Sequence, residues 1–177
     1  MMRTHRRDKQ IIMVGRGGQG ILLLAKALAE IAFKDGMNLI TSETHGMAMR
    51  GGTVTASLKI GSYESPLIPA GAADMLIGLE KTEADDYLHM LKKDGISVVN
   101  AREKGPFDYT IDATGMALSM GSPGSANMIM LGLVTGIMGH SIDEVRSIIN
   151  EISPGRFVSQ NIKAIEAGYE SLEPVLE

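Results

Sequence analysis

Short apolar runs alternate with amphipathic stretches along this chain, and the alternation places its elements. Gln10–Val14 is an apolar run that stops at glycine, which predicts a buried first strand. Strong helix formers follow. Ile21, Leu24, Ala25, Leu28, Ile31 and Ala32 share one face, and Gly36 is the expected C-terminal stop. Asn38–Thr44 and the β-branched Thr53–Ile60 predict a second and a third strand. The turn from His45 to Gly52 leaves no room for a crossover helix, so these two strands should pair antiparallel. Pro66 and Pro69 hold residues 65–69 extended, because each proline restricts the residue before it. Asp74–Leu79, Ile96–Asn100 and Tyr109–Asp112 predict three more strands, and Lys81–Lys92 predicts an amphipathic helix with Leu88 and Leu91 turned inward. Further helices are expected at Ala113–Met120, Ser125–Met138, Ile142–Ile152 and Val158–Ser171. Ser141 and Glu144 form a capping box, and Pro154 ends the helix they open. Strands interleaved with helices predict an α/β fold: a three-layer α/β/α domain around a mixed, mostly parallel sheet.

At 177 residues the chain is expected to form a single domain over residues 1–177, with residues 1–9 disordered. Residues 113–139 carry no charge, which raises the question of a membrane span. Gly121, Pro123, Gly124 and Asn127 interrupt the stretch, and what remains is shorter than the ~20 residues a span requires. It reads as a buried helix or a subunit interface. The basic start (Arg3, Arg6, Arg7, Lys9) leads into only four apolar residues, Ile11 to Val14, whereas a secretory leader needs about 7–15. A cytoplasmic location is expected. The net charge of −4 supplies no bulk attraction to nucleic acid or to an anionic membrane. Cysteine is absent, which excludes disulfides, cysteine nucleophiles and thiolate-ligated zinc or iron–sulfur sites within this chain. Thirteen methionines stand beside seven aromatic residues; they read first as core fillers, with some available to a subunit interface.

Two loops carry the candidate chemistry. Gly15, Gly17 and Gly20 satisfy G-x-G-x-x-G between a strand and a helix. The residues Gly15, Arg16, Gly17, Gly18, Gln19 and Gly20 are therefore the candidate cofactor-binding set. Glycines let backbone N–H groups approach a phosphate, and the helix start adds about half a positive charge. The equally open alternative is a tight strand-to-helix turn that binds nothing. A dinucleotide site also wants an acid about 20 residues on, and Glu43 stands roughly there. The chain after it turns back into a hairpin, which departs from that pattern. In the second loop, residues 42–52, Glu43, His45 and Arg50 are the catalytic candidates, and none is assigned the role. His45 can order the loop, donate a proton or meet a phosphate. Arg50 can grip a carboxylate or phosphate, or pair internally with Glu43. The four histidines have no metal-like spacing, so no metal site is expected. Both loops leave the carboxyl ends of strands and should lie side by side.

The Gly15–Gly20 loop with Ile21-Leu22-Leu23-Leu24-Ala25, the run Glu43–Gly52, Ser65–Pro69, Asp74–Glu80 and Asn127–Gly132 occur in an order that resembles the gamma-type chain of the 2-oxoacid:ferredoxin oxidoreductases. The form Glu-x-His-Gly-Met-Ala-x-Arg-Gly-Gly is most similar to the small (beta) subunit of the indolepyruvate branch. His45 is where the chain departs from the other branches. The resemblance implies CoA-dependent oxidative decarboxylation of an arylpyruvate to an acyl-CoA, with electrons passed to ferredoxin. It also implies a large partner subunit that carries thiamine diphosphate, magnesium and the iron–sulfur clusters, with no cofactor bound by this chain alone. CoA is then a co-substrate and ferredoxin an indirect partner, with no nucleic acid or membrane involved. The alternatives are a free-standing nicotinamide-dependent reductase, or a gamma subunit of a pyruvate or 2-oxoglutarate enzyme.

Overall fold

The six apolar runs assemble into one sheet in the computed structural model, which describes residues 8–45 and 51–172, His45 by its backbone alone. The strands are β1 (Lys9–Arg16), β2 (Leu39–His45), β3 (Thr53–Ile60), β4 (Ala73–Gly78), β5 (Leu91–Asn100) and β6 (Tyr109–Ile111). Their spatial order is β2-β3-β1-β4-β5-β6. β3 runs antiparallel to both β1 and β2, while β1, β4, β5 and β6 run parallel. The sheet is therefore mixed and mostly parallel. The first strand starts at Lys9, which pairs with Ile60 and so lies within the sheet, inside the stretch expected to be disordered.

Among the described residues six α-helices cover the two faces unequally: α1 (Ile21–Lys34), α2 (Lys81–Tyr87), α3 (Ala113–Ser119), α4 (Ala126–Ile137), α5 (Ile142–Ile152) and α6 (Val158–Glu170). Ile11 and Met13 of β1 face a large core closed by α1, α3, α4, α5 and α6. Ile12 and Val14, one residue out of phase, face a smaller core under α2 that also takes in Ile68. The strand period of two thus sends one strand into both cores. The uncharged stretch resolves into α3, a 3-10 turn and α4, and in α4 every residue from Asn127 to Thr135 is buried. A helix apolar all round must be enclosed, and this one lies among the other helices of its layer. Met128 and Met130 fill that core, and Met120 is partly exposed.

One expected element differs. The helix drawn over Lys81–Lys92 ends at Tyr87, Leu88–Met90 form a single 3-10 turn, and Leu91 already belongs to β5. Leu91 pairs with Ala73, but the next pair is Ile96 with Met75, so residues 92–95 bulge out of the ladder. The apolar spacing that suggested a fourth helical turn is satisfied instead by sheet pairing, with Leu88 and Leu91 both against the smaller core. The continuous ladder begins at Ile96, where the strand was expected. Among the described residues no helix is long and apolar enough to cross a membrane.

Candidate functional site

β1 and β2 run in the same direction, so the two glycine-bearing loops leave the same edge of the sheet. β3 lies between them and carries the second loop's return. Its first residues pair with the end of β1, Thr53 opposite Arg16 and Val54 opposite Gly15. The loops touch through a backbone hydrogen bond: the Gly17 amide donates to the Gly52 carbonyl at 3.0 Å.

The first loop is closed on itself by local chemistry. Gly18 and Gly20 hold φ of 91° and 83°, a region side chains rarely enter. The Arg16 amide donates to Gln19 Oε1 at 2.7 Å, and the Gln19 amide donates to the Arg16 carbonyl at 3.1 Å. Three of the amides that a phosphate would recruit (Arg16, Gly17 and Gln19) are thus engaged within the protein. The start of α1 has no side-chain cap, since its N-cap residue is Gly20. Its first N–H groups point toward the loop and favour negative charge there. Asn127 supports this corner from α4, donating from Nδ2 to the Gly20 carbonyl at 3.3 Å.

β1 leads to a helix on one face and β4 to a helix on the other, so the gap between their carboxyl ends is a topological switch point, where open α/β sheets place ligands. Here the gap is bridged. Gln19 Nε2 donates to the Leu79 carbonyl at 3.4 Å and to a Glu80 carboxylate oxygen at 3.3 Å. Beside it lies a cleft of about 430 Å3 lined by Glu80, Lys81, Asn100, Arg102, Asp112 and Thr114 among others. Asn100 is buried and satisfied. Its Nδ2 donates to the Leu79 carbonyl and to Thr114 Oγ1, and its Oδ1 accepts from the Thr114 amide.

The guanidinium of Arg16, one of the candidate cofactor-binding residues, donates from Nε to Glu83 at 3.2 Å and from an Nη to Thr82 at 3.3 Å. Glu83 also accepts from Thr53 Oγ1 at 2.6 Å. Neither Glu83 nor Thr53 belonged to a motif. The available signal was positional: Glu83 is an acid in the first turn of the helix that follows β4, the strand beside β1. Of the catalytic candidates, Glu43 is exposed on the edge strand β2, opposite Ala56. His45 ends β2 opposite Val54. The His45 side chain and Arg50 lie outside the described residues. Among the described residues no three His, Asp or Glu side chains converge as a metal site.

Residues 10–171 match the model of the family described as pyruvate ferredoxin/flavodoxin oxidoreductase. The chain is 33% identical over 186 residues to the indolepyruvate oxidoreductase subunit IorB of Archaeoglobus fulgidus, an alignment covering 90% of this chain and 92% of that protein. It is 36% identical over 172 residues to the pyruvate synthase subunit PorC of Methanothermobacter thermautotrophicus, covering 90% and 93% of the two chains. The crystal structure of the pyruvate oxidoreductase subunit PORC from Thermotoga maritima superposes with a TM-score of 0.77 at 25% identity, covering 93% of this chain and 96% of that one.

Proposed function

Because this chain belongs to the pyruvate ferredoxin/flavodoxin oxidoreductase family, we propose that it is the small subunit of a 2-oxoacid:ferredoxin oxidoreductase acting on an arylpyruvate such as indolepyruvate. The reaction breaks the bond between the carboxylate and carbonyl carbons of the oxoacid and releases carbon dioxide. The acyl carbon joins the CoA sulfur, the thiol proton leaves, and two electrons pass to two oxidised ferredoxins.

Thiamine diphosphate, magnesium and iron–sulfur clusters belong to a large partner subunit, where they supply carbanion stabilisation and electron transfer. The residues of this chain do not fit those groups: it has no cysteine, and its described carboxylates and histidines form no metal-ligating set. Its own contribution is to complete the assembly and to shape the CoA side of the site. The joined loops at the carboxyl edge suit that role. The uncapped start of α1, next to Gly18 and Gly20, offers N–H groups to an anionic coenzyme.

The observation that carries the reading is the 33% identity, along nearly the full length of both chains, to an indolepyruvate oxidoreductase subunit. The 36% identity to a pyruvate synthase subunit favours pyruvate as the second reading. A nicotinamide-dependent reductase is not favoured, since β2 and β3 form a hairpin where a dinucleotide fold has a crossover helix.

Co-expression with the large subunit tests the reading. The complex should reduce viologen in the presence of CoA with indolepyruvate or phenylpyruvate, and the large subunit alone should not. A complex that turns over only pyruvate selects the second reading. Full activity of the large subunit without this chain overturns both.

A further inference from the structure

We infer that Glu83 is a positioning residue: its carboxylate clamps the two glycine loops together and so sets the fit of the coenzyme. One oxygen accepts from Arg16 Nε of the first loop, and the other accepts from Thr53 Oγ1 where the second loop re-enters the sheet. Both are the strong kind of hydrogen bond, with an ionised acceptor. The Glu83 side chain is 14% exposed while that of Arg16 is 49% exposed, so the carboxylate is the shielded, fixed member of the pair. Glu83 belongs to α2, which the smaller core holds through Ala84. The clamp therefore ties two loops on strands β1 and β3 to a third, packed element. The Gly17–Gly52 backbone bond closes the same junction on its other side. The β1–β3 ladder already sets Arg16 opposite Thr53 and the Gly17–Gly52 bond extends it by one step; the carboxylate adds a tie from outside the sheet, through a packed helix.

The coenzyme consequence rests on the function proposed above, and the clamp itself does not. Loss of the clamp leaves the groups of the loops in place but misplaces them relative to one another. Such a change weakens binding in the ground and transition states alike and appears in KM before kcat.

Glu83→Gln keeps the shape of the side chain but removes the ionised acceptor, so the hydrogen bonds to Arg16 and Thr53 fall from charge-assisted to neutral strength. Amide hydrogen exchange on the full chain reads the clamp directly. Segments 15–20 and 51–56 should exchange about tenfold faster in Glu83→Gln, with α4 to α6 unchanged. Equal exchange in the loops overturns the clamp. In the reconstituted complex the same variant should raise KM for CoA about tenfold, with a much smaller change in kcat and no change in KM for the oxoacid. An unchanged KM for CoA in an active complex overturns the positioning role. A wild-type complex with no CoA-dependent turnover overturns the proposed function instead, and the exchange data then judge the clamp alone. Thr53→Val removes only the hydroxyl donor and should give the same pattern at about threefold. It serves where Glu83→Gln fails to fold, and an absence of loop effects in Thr53→Val overturns the clamp. Adding Arg16→Ala should cut the effect of Glu83→Gln on KM for CoA to about threefold, the share of the Thr53 contact, since the remainder acts through Arg16; full additivity overturns the inference.

Discussion

Gly132 of α4 lies directly against the carbonyl oxygen of Ile165 on α6, with no side chain between the two backbones. The contact is reciprocal: Gly168 of α6 lies against the Ile129 carbonyl of α4. A Cβ at either glycine would be driven into main-chain atoms that no rotamer change can move. Gly132→Ala or Gly168→Ala should therefore force the helices apart and cost about 3 kcal/mol. In a domain of this size that lowers the thermal midpoint by about 6–12 °C. Thermal unfolding followed by circular dichroism checks it, and Gly124→Ala, with open space at the site, is the control.

The two positive-φ glycines of the first loop should respond differently. Gly18 has nothing within reach of an added Cβ, so Gly18→Ala carries only the left-handed strain of about 1–2 kcal/mol. At Gly20 the Cβ would also enter the Asn127 side chain. Gly20→Ala should cost at least about 1 kcal/mol more than Gly18→Ala. Asn127→Ala should relieve part of that difference, so the double variant is less damaged than the sum of the single ones. Urea unfolding midpoints measure all four.

At the start of α5, Ser141 Oγ accepts from the Glu144 amide and Glu144 accepts from the Ser141 amide. Ser141→Ala leaves the Glu144 amide without its partner and should cost about 1 kcal/mol in equilibrium unfolding. Ser141→Asp, another good cap, should retain most of the stability.

Residues 61–69 are fastened to β3 by side chains. Buried Lys59 donates from Nζ to the Leu67 carbonyl at 2.8 Å and lies 4.4 Å from the centre of the Tyr63 ring. Ser57 Oγ donates to the Pro66 carbonyl at 3.2 Å. Lys59→Met should release this segment, seen as faster cleavage within 61–69 under limited proteolysis, with the sheet intact.

Burial, helped by Asp8 and Asp74, pushes the Tyr63 phenol above its ordinary value of 10.0. The fold thus favours the neutral phenol. Its contribution is complete below the ordinary value and is lost as pH rises through the higher folded one. Tyr63→Phe should become more stable relative to wild type as pH climbs past about 10. Stability measured for both proteins across that range checks the sign.

Element boundaries were legible where one local rule governed the residue. β3 and α5 run over the residues expected for them, because a β-branched run between glycines and a capping box before an amphipathic run are local signals. The boundary at Leu91 was not legible. Its spacing from Leu88 suits both a helical face and a strand entering the same core, and only pairing with Ala73 selects the strand. The site divides in the same way. Glycines 15, 17, 18 and 20 declared a tight turn at a strand end, and the short connection from β2 to β3 placed the second loop at the same edge. The partner of Arg16 stayed hidden, since it comes from 67 residues away.

From the order of its residues alone, then, this chain makes a mixed sheet, a glycine turn before α1 and an enclosed uncharged helix, and it has no cysteine to hold a thiolate-ligated cluster. Each follows from side-chain chemistry acting within a few residues or from composition. Which group takes the Gly17 amide, and which carboxylate holds Arg16, are set by the return of β3 and by the packing of α2 beside β1. Those choices depend on distances between segments far apart in the chain, and such distances exist only once the sheet has formed.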